Sequence, residues 1–259
     1  MKASYKPSSV QRFKKSVGDA TKYATGTHLC LSHLDATNSF DCAAQQSRAT
    51  ELEIKVDEID LPSLISQNIF QSIVSLYSSF DEYQSSLKTE FQKITNQDWK
   101  EKSEYSPFQA LRENAVSADK ILELKSKFLL FDYYRKIRNH IVHPKPNGLE
   151  EIAAWYRKNS DELSALGKSY GLRESPNSPS DLKIHDMKLF CQLLLDLGFS
   201  ISEAFDPGDE NIAKYVRANY SYDSELKESR IKNGVSGYIK TNFGVSEYRA
   251  ENIANIVLA

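Results

Sequence analysis

Cysteine is scarce in this chain. Cys30, Cys42 and Cys191 are scattered through 259 residues with no C-x-x-C pair. So sparse and odd a set argues against a disulfide framework and for a reducing, cytoplasmic setting. Long apolar runs are missing too. Stretches such as FLLF at residues 128–131 fall far short of the roughly 20 residues that cross a bilayer. The basic N-terminal stretch MKASYKPSSVQRFKKSV has no apolar h-region, so it does not read as a secretory signal, and no membrane partner is expected. A large charge excess is also lacking. The formal net charge is −2, whereas proteins that coat nucleic acid non-specifically are usually strongly basic. Any contact with phosphate must come from a local patch. Internal repeats, low-complexity segments, G-x-S-x-G and paired-carboxylate motifs are all absent, which leaves other hydrolase classes without support. The remainder is ordinary globular composition, 40% hydrophobic and 26% charged, with enough length for one large domain or two small ones.

Helical periodicity dominates. After Pro62, well placed for a first turn, apolar residues fall at Ile69, Ile73, Leu76, Phe80, Tyr83, Leu87, Phe91 and Ile94. Alternating spacings of three and four predict a long amphipathic helix that frays at Asn96 and Gln97. Residues 103–107 read as a loop, and a second helix is expected over residues 117–143, stopped by Pro144. A third begins near Leu149 (Leu149, Ile152, Tyr156, Leu163, Leu166). SPNSPS at residues 175–180 reads as a loop, and a fourth helix follows over residues 181–205. Val10, Phe13 and Val17 suggest an N-terminal helix. Leu52, Ile54 and Val56 alternate as in a short strand, and the last fifty residues read as two or three short helices. Long helices with modest loops predict an antiparallel bundle.

One stretch stands apart. YYRKIRNHIVHPKP, residues 133–146, holds four fixed cations (Arg135, Lys136, Arg138, Lys145) and two histidines (His140, His143) with no carboxylate among them. On a helical wheel Leu130, Tyr134, Ile137 and Ile141 form a core row. A second apolar row, Ile121, Leu124, Phe128 and Phe131, gives way near the end to Arg135, Arg138 and Asn139. A helix apolar on two sides is buried on two sides, against another helix of the chain or a second subunit. Charges placed there are costly unless paired or used, and phosphate is their obvious partner. The plain structural reading is a helix end dressed for its dipole. Arg138 and His143, five apart, converge only if the helix loosens before Pro144, or across a two-fold axis.

Arg138-Asn139-His140-Ile141-Val142-His143 reads R-N-x-x-x-H at the C-terminal end of a long helix, with another long helix before it. This resembles the HEPN superfamily and its R-x(4–6)-H signature, over about residues 61–205. The resemblance implies a HEPN-like antiparallel helical bundle at 61–206. It does not cover the rest of the chain, where the helical patterning itself predicts a mainly helical N-terminal extension at 1–60 and a C-terminal helical extension at 207–259 packed on the bundle, in an all-α chain. The resemblance further implies a homodimer with facing motif helices. Many members are metal-independent endoribonucleases of toxin–antitoxin or antiviral defence systems, and others are inactive binding modules. In the branch partnered by a nucleotidyltransferase antitoxin the signature continues H-x-Y. Here Lys145 stands at the tyrosine position, which argues against that form of regulation.

The expectation is therefore RNA cleavage by the substrate's own 2′-hydroxyl, with no metal or other cofactor. His143 would act as general base or acid, Arg138 would stabilise the phosphorane, and Asn139 would orient either. Arg135 and Lys145 would hold neighbouring phosphates, with His140 a flank to them that reads more readily as structural. The expected partners are single-stranded or transfer RNA, a second copy of the chain, and an antitoxin or regulatory protein. The alternative is a catalytically silent HEPN module that binds RNA, a nucleotide or a protein. Other constellations carry less. His28, Cys30, His33 and Cys42 are zinc-ligand types without finger spacing, and read as ordinary helix residues. Gly167-Lys168-Ser169 would end a phosphate loop, but Glu162 replaces its first glycine. Tyr215, Arg217, Tyr220, Tyr222, Tyr238, Lys240, Phe243, Tyr248 and Arg249 interleave aromatics with cations, and packing is the favoured reading over base stacking. Cys191 reads as a buried small hydrophobe.

Overall fold

The structure, a computed structural model, describes residues 5–37, 40–55, 60–223, 225 and 227–259. Among them the chain is all-helical. It forms α1 (Ser8–Ala36), α2 (Cys42–Glu51), α3 (Leu61–Thr95), α4 (Pro107–Asn114), α5 (Ala118–Leu122), α6 (Lys125–Val142), α7 (Gly148–Lys158), α8 (Ser160–Ser169), α9 (Ile184–Ala204), α10 (Asp209–Asn219), α11 (Glu228–Phe243) and α12 (Glu247–Leu258). No strand occurs among the described residues. Leu52 instead closes α2, its N–H bonded to the Arg48 and Thr50 carbonyls, and Val56 lies outside the described residues. The expected long helix is α3, ended at Asn96 in a left-handed conformation (φ 55°) that asparagine tolerates.

Two expected helices are each broken. The span 117–143 is α5 and α6, separated at Glu123 and Leu124, where Leu124 N–H bonds the Ile121 carbonyl at 3.0 Å in a tighter turn. The helix from Leu149 is α7 and α8, separated at Asn159, whose side-chain amide donates to the Trp155 carbonyl at 2.7 Å. Asparagine in this role offers the backbone an alternative to the next helical bond.

The chain forms two compact units. The first comprises the described residues of Met1–Ser16, Ser79–Phe128 and Leu194–Ala259. Its C-terminal core brings Ile212 and Val216 of α10, Val235, Ile239 and Phe243 of α11, and Ala250, Ile253 and Val257 of α12 around Tyr5 and Ile94. The aromatic–cation pattern of this region is mostly packing. Tyr215 meets Phe243 edge-on, Tyr220 lies against Tyr238, and Arg217 donates to the Val257 and Ile256 carbonyls. Tyr248 is exposed.

The second unit comprises Val17–Ser78 and Leu129–Leu193. Leu130, Phe131, Tyr133, Tyr134 and Ile137 of α6 are all buried, as are Ile69, Ile73 and Leu76 of α3 and Met187, Leu189 and Phe190 of α9. The 175–180 segment is a loop, as expected, and a buried carboxylate fastens it. Asp186 accepts from the Asn177 N–H (2.9 Å), the Asn177 amide (2.8 Å), the Lys183 N–H (2.9 Å) and the Tyr134 hydroxyl (3.1 Å). The Tyr133 hydroxyl donates to the Asn177 carbonyl and the Tyr156 hydroxyl to the Pro176 carbonyl, the latter at 2.9 Å. Gly167 lets this loop approach: a Cβ there would sit 1.8 Å from the Ser175 carbonyl oxygen. Cys191 is half-buried and accepts from the Thr21 hydroxyl at 3.2 Å, and burial pushes its thiol pKa up. No described helix is long and apolar enough to cross a membrane.

Candidate functional site

Both apolar rows of α5 and α6 are buried except at Ile141, which is half-buried. Ile121, Leu124, Phe128 and Phe131 are buried as fully as Leu130, Tyr134 and Ile137. Phe128 meets Phe108 edge-on, and Phe131 stacks on Tyr77 at 5.7 Å. The polar end of α6 thus grows out of a packed helix, which fixes where its side chains emerge.

That end is remade by the proline. α6 stops at Val142, and His143 leaves the helix while its N–H still bonds the Asn139 carbonyl at 2.8 Å. Pro144 to Pro146 lead into Asn147, again left-handed (φ 60°), and the chain turns directly into α7. Gly148 opens α7 against His140, where a Cβ would lie 2.7 Å from the imidazole Nδ1. The close approach of these two helix ends leaves a groove of about 630 Å³ beside them.

Arg135, Arg138, Asn139, His140, His143 and Lys145 all line this groove. The sequence-based candidates therefore share one surface, including Arg138 and His143, which an unbroken helix would have kept apart. Their surroundings differ. The Arg138 guanidinium lies 4.9 Å from the Tyr77 ring centre and donates to Asn139 Oδ1 at 3.2 Å. Its Nε is buried without a hydrogen-bond partner, and among the described residues it has no carboxylate partner. Arg135, by contrast, pairs with Asp132 at 2.8 Å, one turn back, so part of its charge is already answered. His143 and Lys145 are exposed. His140 is half-buried with its Nδ1 unpartnered, pressed against Gly148, and forms wall more than floor.

Four further side chains line the groove that the motif alone does not indicate: Lys136, Glu151, Trp155 and the buried Ile152. Lys136 places its ammonium 5.5 Å from the centre of the Trp155 ring. Trp155 and Glu151 come from α7 and face the groove four residues apart, one helical turn. Their signal in the sequence is only that spacing, together with the Asn-Gly turn that folds α7 back. Among the described residues no cluster of three His, Cys, Asp or Glu side chains is placed to hold a metal ion. His28, Cys30 and His33 lie on α1, with Cys30 and His33 exposed, and the side chain of Cys42 lies outside the described part. Burial, with Lys188 and His185 nearby, holds the His28 pKa below its ordinary value.

Chemically, the groove offers a guanidinium and two ammonium groups without carboxylate partners among the described residues, an exposed imidazole and an amide. That set suits a phosphodiester, with arginine gripping the phosphate oxygens and histidine moving a proton at neutral pH. Compared with known proteins, the chain matches no family model, no curated protein and no solved structure.

Proposed function

We propose that this protein is a metal-independent endoribonuclease that cleaves RNA at the groove formed by the end of α6 and the start of α7. The observation that carries the reading is the shared lining of that groove by Arg138, Asn139 and His143, with Arg135 and Lys145 at hand. His143 takes the proton from the 2′-hydroxyl. The 2′-oxygen bonds to phosphorus, the P–O5′ bond breaks, and the 5′-oxygen is protonated from solvent. The products are a 2′,3′-cyclic phosphate and a 5′-hydroxyl. Arg138 stabilises the extra charge on the phosphorane oxygens. Asn139, already bonded to Arg138, keeps that guanidinium aimed. The 2′-hydroxyl requirement makes DNA a non-substrate. The HEPN resemblance is the sole support for the biological setting: a cytoplasmic toxin or defence effector, dimeric through its motif helix, with an antitoxin or regulatory partner.

The test is incubation of total and transfer RNA with purified protein in EDTA, beside Arg138→Ala and His143→Ala. Cuts bearing 2′,3′-cyclic phosphate ends are expected from the wild type. Arg138→Ala should slow cutting by about 10²–10³-fold, and His143→Ala should reduce it by about 10²-fold or more. Intact RNA in every lane, with RNA still bound and released by salt, would favour a catalytically silent binding module instead.

A further inference from the structure

We infer that the groove reads an unpaired guanine, with Trp155 as its stacking platform and Glu151 as the acceptor for its N1–H and 2-amino group. The inference rests on the proposal that the groove takes RNA. Glu151 is the observation that starts it. It lines a groove with four lysine and arginine side chains, yet makes no ion pair with any of them. A carboxylate there repels phosphate, so a groove built for phosphate alone gains nothing from it. A base edge rich in donors gives it a use.

Trp155 supplies the second element. Its ring lies nearly parallel to that of Tyr133, with centres 6.2 Å apart and planes 7° apart, and it is only half-buried. Tyr133 is itself fixed, fully buried and bonded to the Asn177 carbonyl. The indole is therefore held at the groove wall by a rigid neighbour, as a stacking surface for an unpaired base requires. The Lys136 ammonium lies 5.5 Å from the ring centre. An arriving base takes its place, and the ammonium moves to a flanking phosphate.

Glu151 and Trp155, one turn apart on the same face of α7, then decide which base fits. Two carboxylate oxygens match two adjacent donors. Guanine alone presents that pair on its Watson–Crick edge. Adenine and cytosine set one amino group beside an acceptor, and uracil sets one N–H between two acceptors. A site that engages paired donors discriminates against bases that lack them.

The chain has two tryptophans, Trp99 and Trp155, so intrinsic fluorescence reports the platform. The probes are the 2′-O-methyl pentanucleotides UUGUU, UUIUU and UUAUU, which lack the nucleophile and stay whole. Guanine is expected to bind roughly tenfold tighter than adenine, with inosine between because it keeps only N1–H. Quenching should vanish in Trp155→Phe. Glu151→Gln should bring guanine and adenine within about twofold while tightening adenine, since a repelling charge is gone. Equal affinities in the wild type, a guanine preference that survives Glu151→Gln, or no binding at all would overturn the inference. Cleavage of unmodified UUGUU by wild type and His143→Ala runs alongside. Guanine preference without cutting keeps this inference and removes the nuclease reading. Cutting without preference does the reverse.

Discussion

Two arginines show how differently the two compact units treat cations. In the first unit, Arg249 on α12 is only 11% exposed and fully answered. It donates to both oxygens of Asp206 at 2.6 and 2.8 Å and to Asp209 at 2.7 Å. The hydrogen bonds to Asp206, with those to Asp209, raise its pKa above the ordinary arginine value despite burial. In the second unit, Arg138 has a ring beneath it, one amide oxygen beside it and, among the described residues, no carboxylate partner. A partly buried cation that the chain pairs is a fastener. One that has no carboxylate partner among the described residues is free of that role, as the proposed phosphate contact requires.

The largest expected effect lies at Arg249. Arg249→Ala leaves Asp206 and Asp209 without their cation and removes the tie between α12 and the turn before α10. A loss of about 3 kcal/mol in urea unfolding is expected. Asp209 is more exposed than Asp206, at 39% against 24%, so the figure belongs at the low end of the range for a buried pair. A change under about 0.5 kcal/mol would break the contrast between the two arginines, because it would make Arg249 as dispensable to the fold as a surface residue.

Gly148→Ala comes next. The second unit holds its groove open by a close approach of helix ends instead of an ion pair. A methyl group 2.7 Å from His140 Nδ1 forces the imidazole or α7 to shift. The expected cost is about 1–2 kcal/mol, read as a lower urea midpoint with unchanged slope. RNA binding should weaken as well, since α7 carries one wall of the groove. If His140 simply swings aside, stability will stay at the wild-type value, and the approach is looser than the geometry implies.

Much of this was legible in the sequence, because most of it is local. The rhythm from Ile69 to Ile94 gives α3, and Pro144 gives the end of α6. The cations and histidines of the candidate site lie within fourteen consecutive residues. The break between α5 and α6 was not legible. Ile121, Leu124 and Phe128 keep helical spacing across it, so the apolar pattern of one helix and of two is the same. Asn159 is equally quiet, since asparagine within a helix is only mildly unfavourable. Glu151 and Trp155 lie beyond a proline turn, and their direction depends on the left-handed Asn147. Asp186 is hardest of all. Its partners Tyr134 and Asn177 lie 52 and 9 residues away, and only the fold brings them together.

Arg138→Met sharpens the comparison by having little effect where Arg249→Ala has much. The methionine keeps contact with the Tyr77 ring and removes only the charge and the bond to Asn139. Stability should fall by under about 1 kcal/mol. The dependence of RNA binding on salt should flatten, by roughly one unit in the slope of log affinity against log salt. A stability loss as large as that of Arg249→Ala would make Arg138 a fastener too, and would count against the proposed phosphate contact.

The smallest effect appears only in alkali and concerns the phenols around the buried Asp186 carboxylate. Tyr134 is fully buried and its hydroxyl donates to Asp186, so burial first and the Asp186 charge second push its pKa well above the ordinary value near 10. Tyr133 is raised for the same two reasons. A raised folded value means that the unfolded chain loses these protons first. The stability they contribute is complete below about pH 10 and declines as the pH rises from there toward the folded values. Unfolding midpoints in urea should thus be flat with respect to these groups from pH 8 to 9.5 and fall at pH 11. Absorbance at 295 nm should show Tyr133 and Tyr134 ionising only as the chain unfolds. If every phenol titrates near pH 10 while the helical signal is intact, then Tyr133 and Tyr134 are reached by water. The 175–180 loop, held to α6 through Asp186 and these two hydroxyls, would then be open to solvent and not a seal.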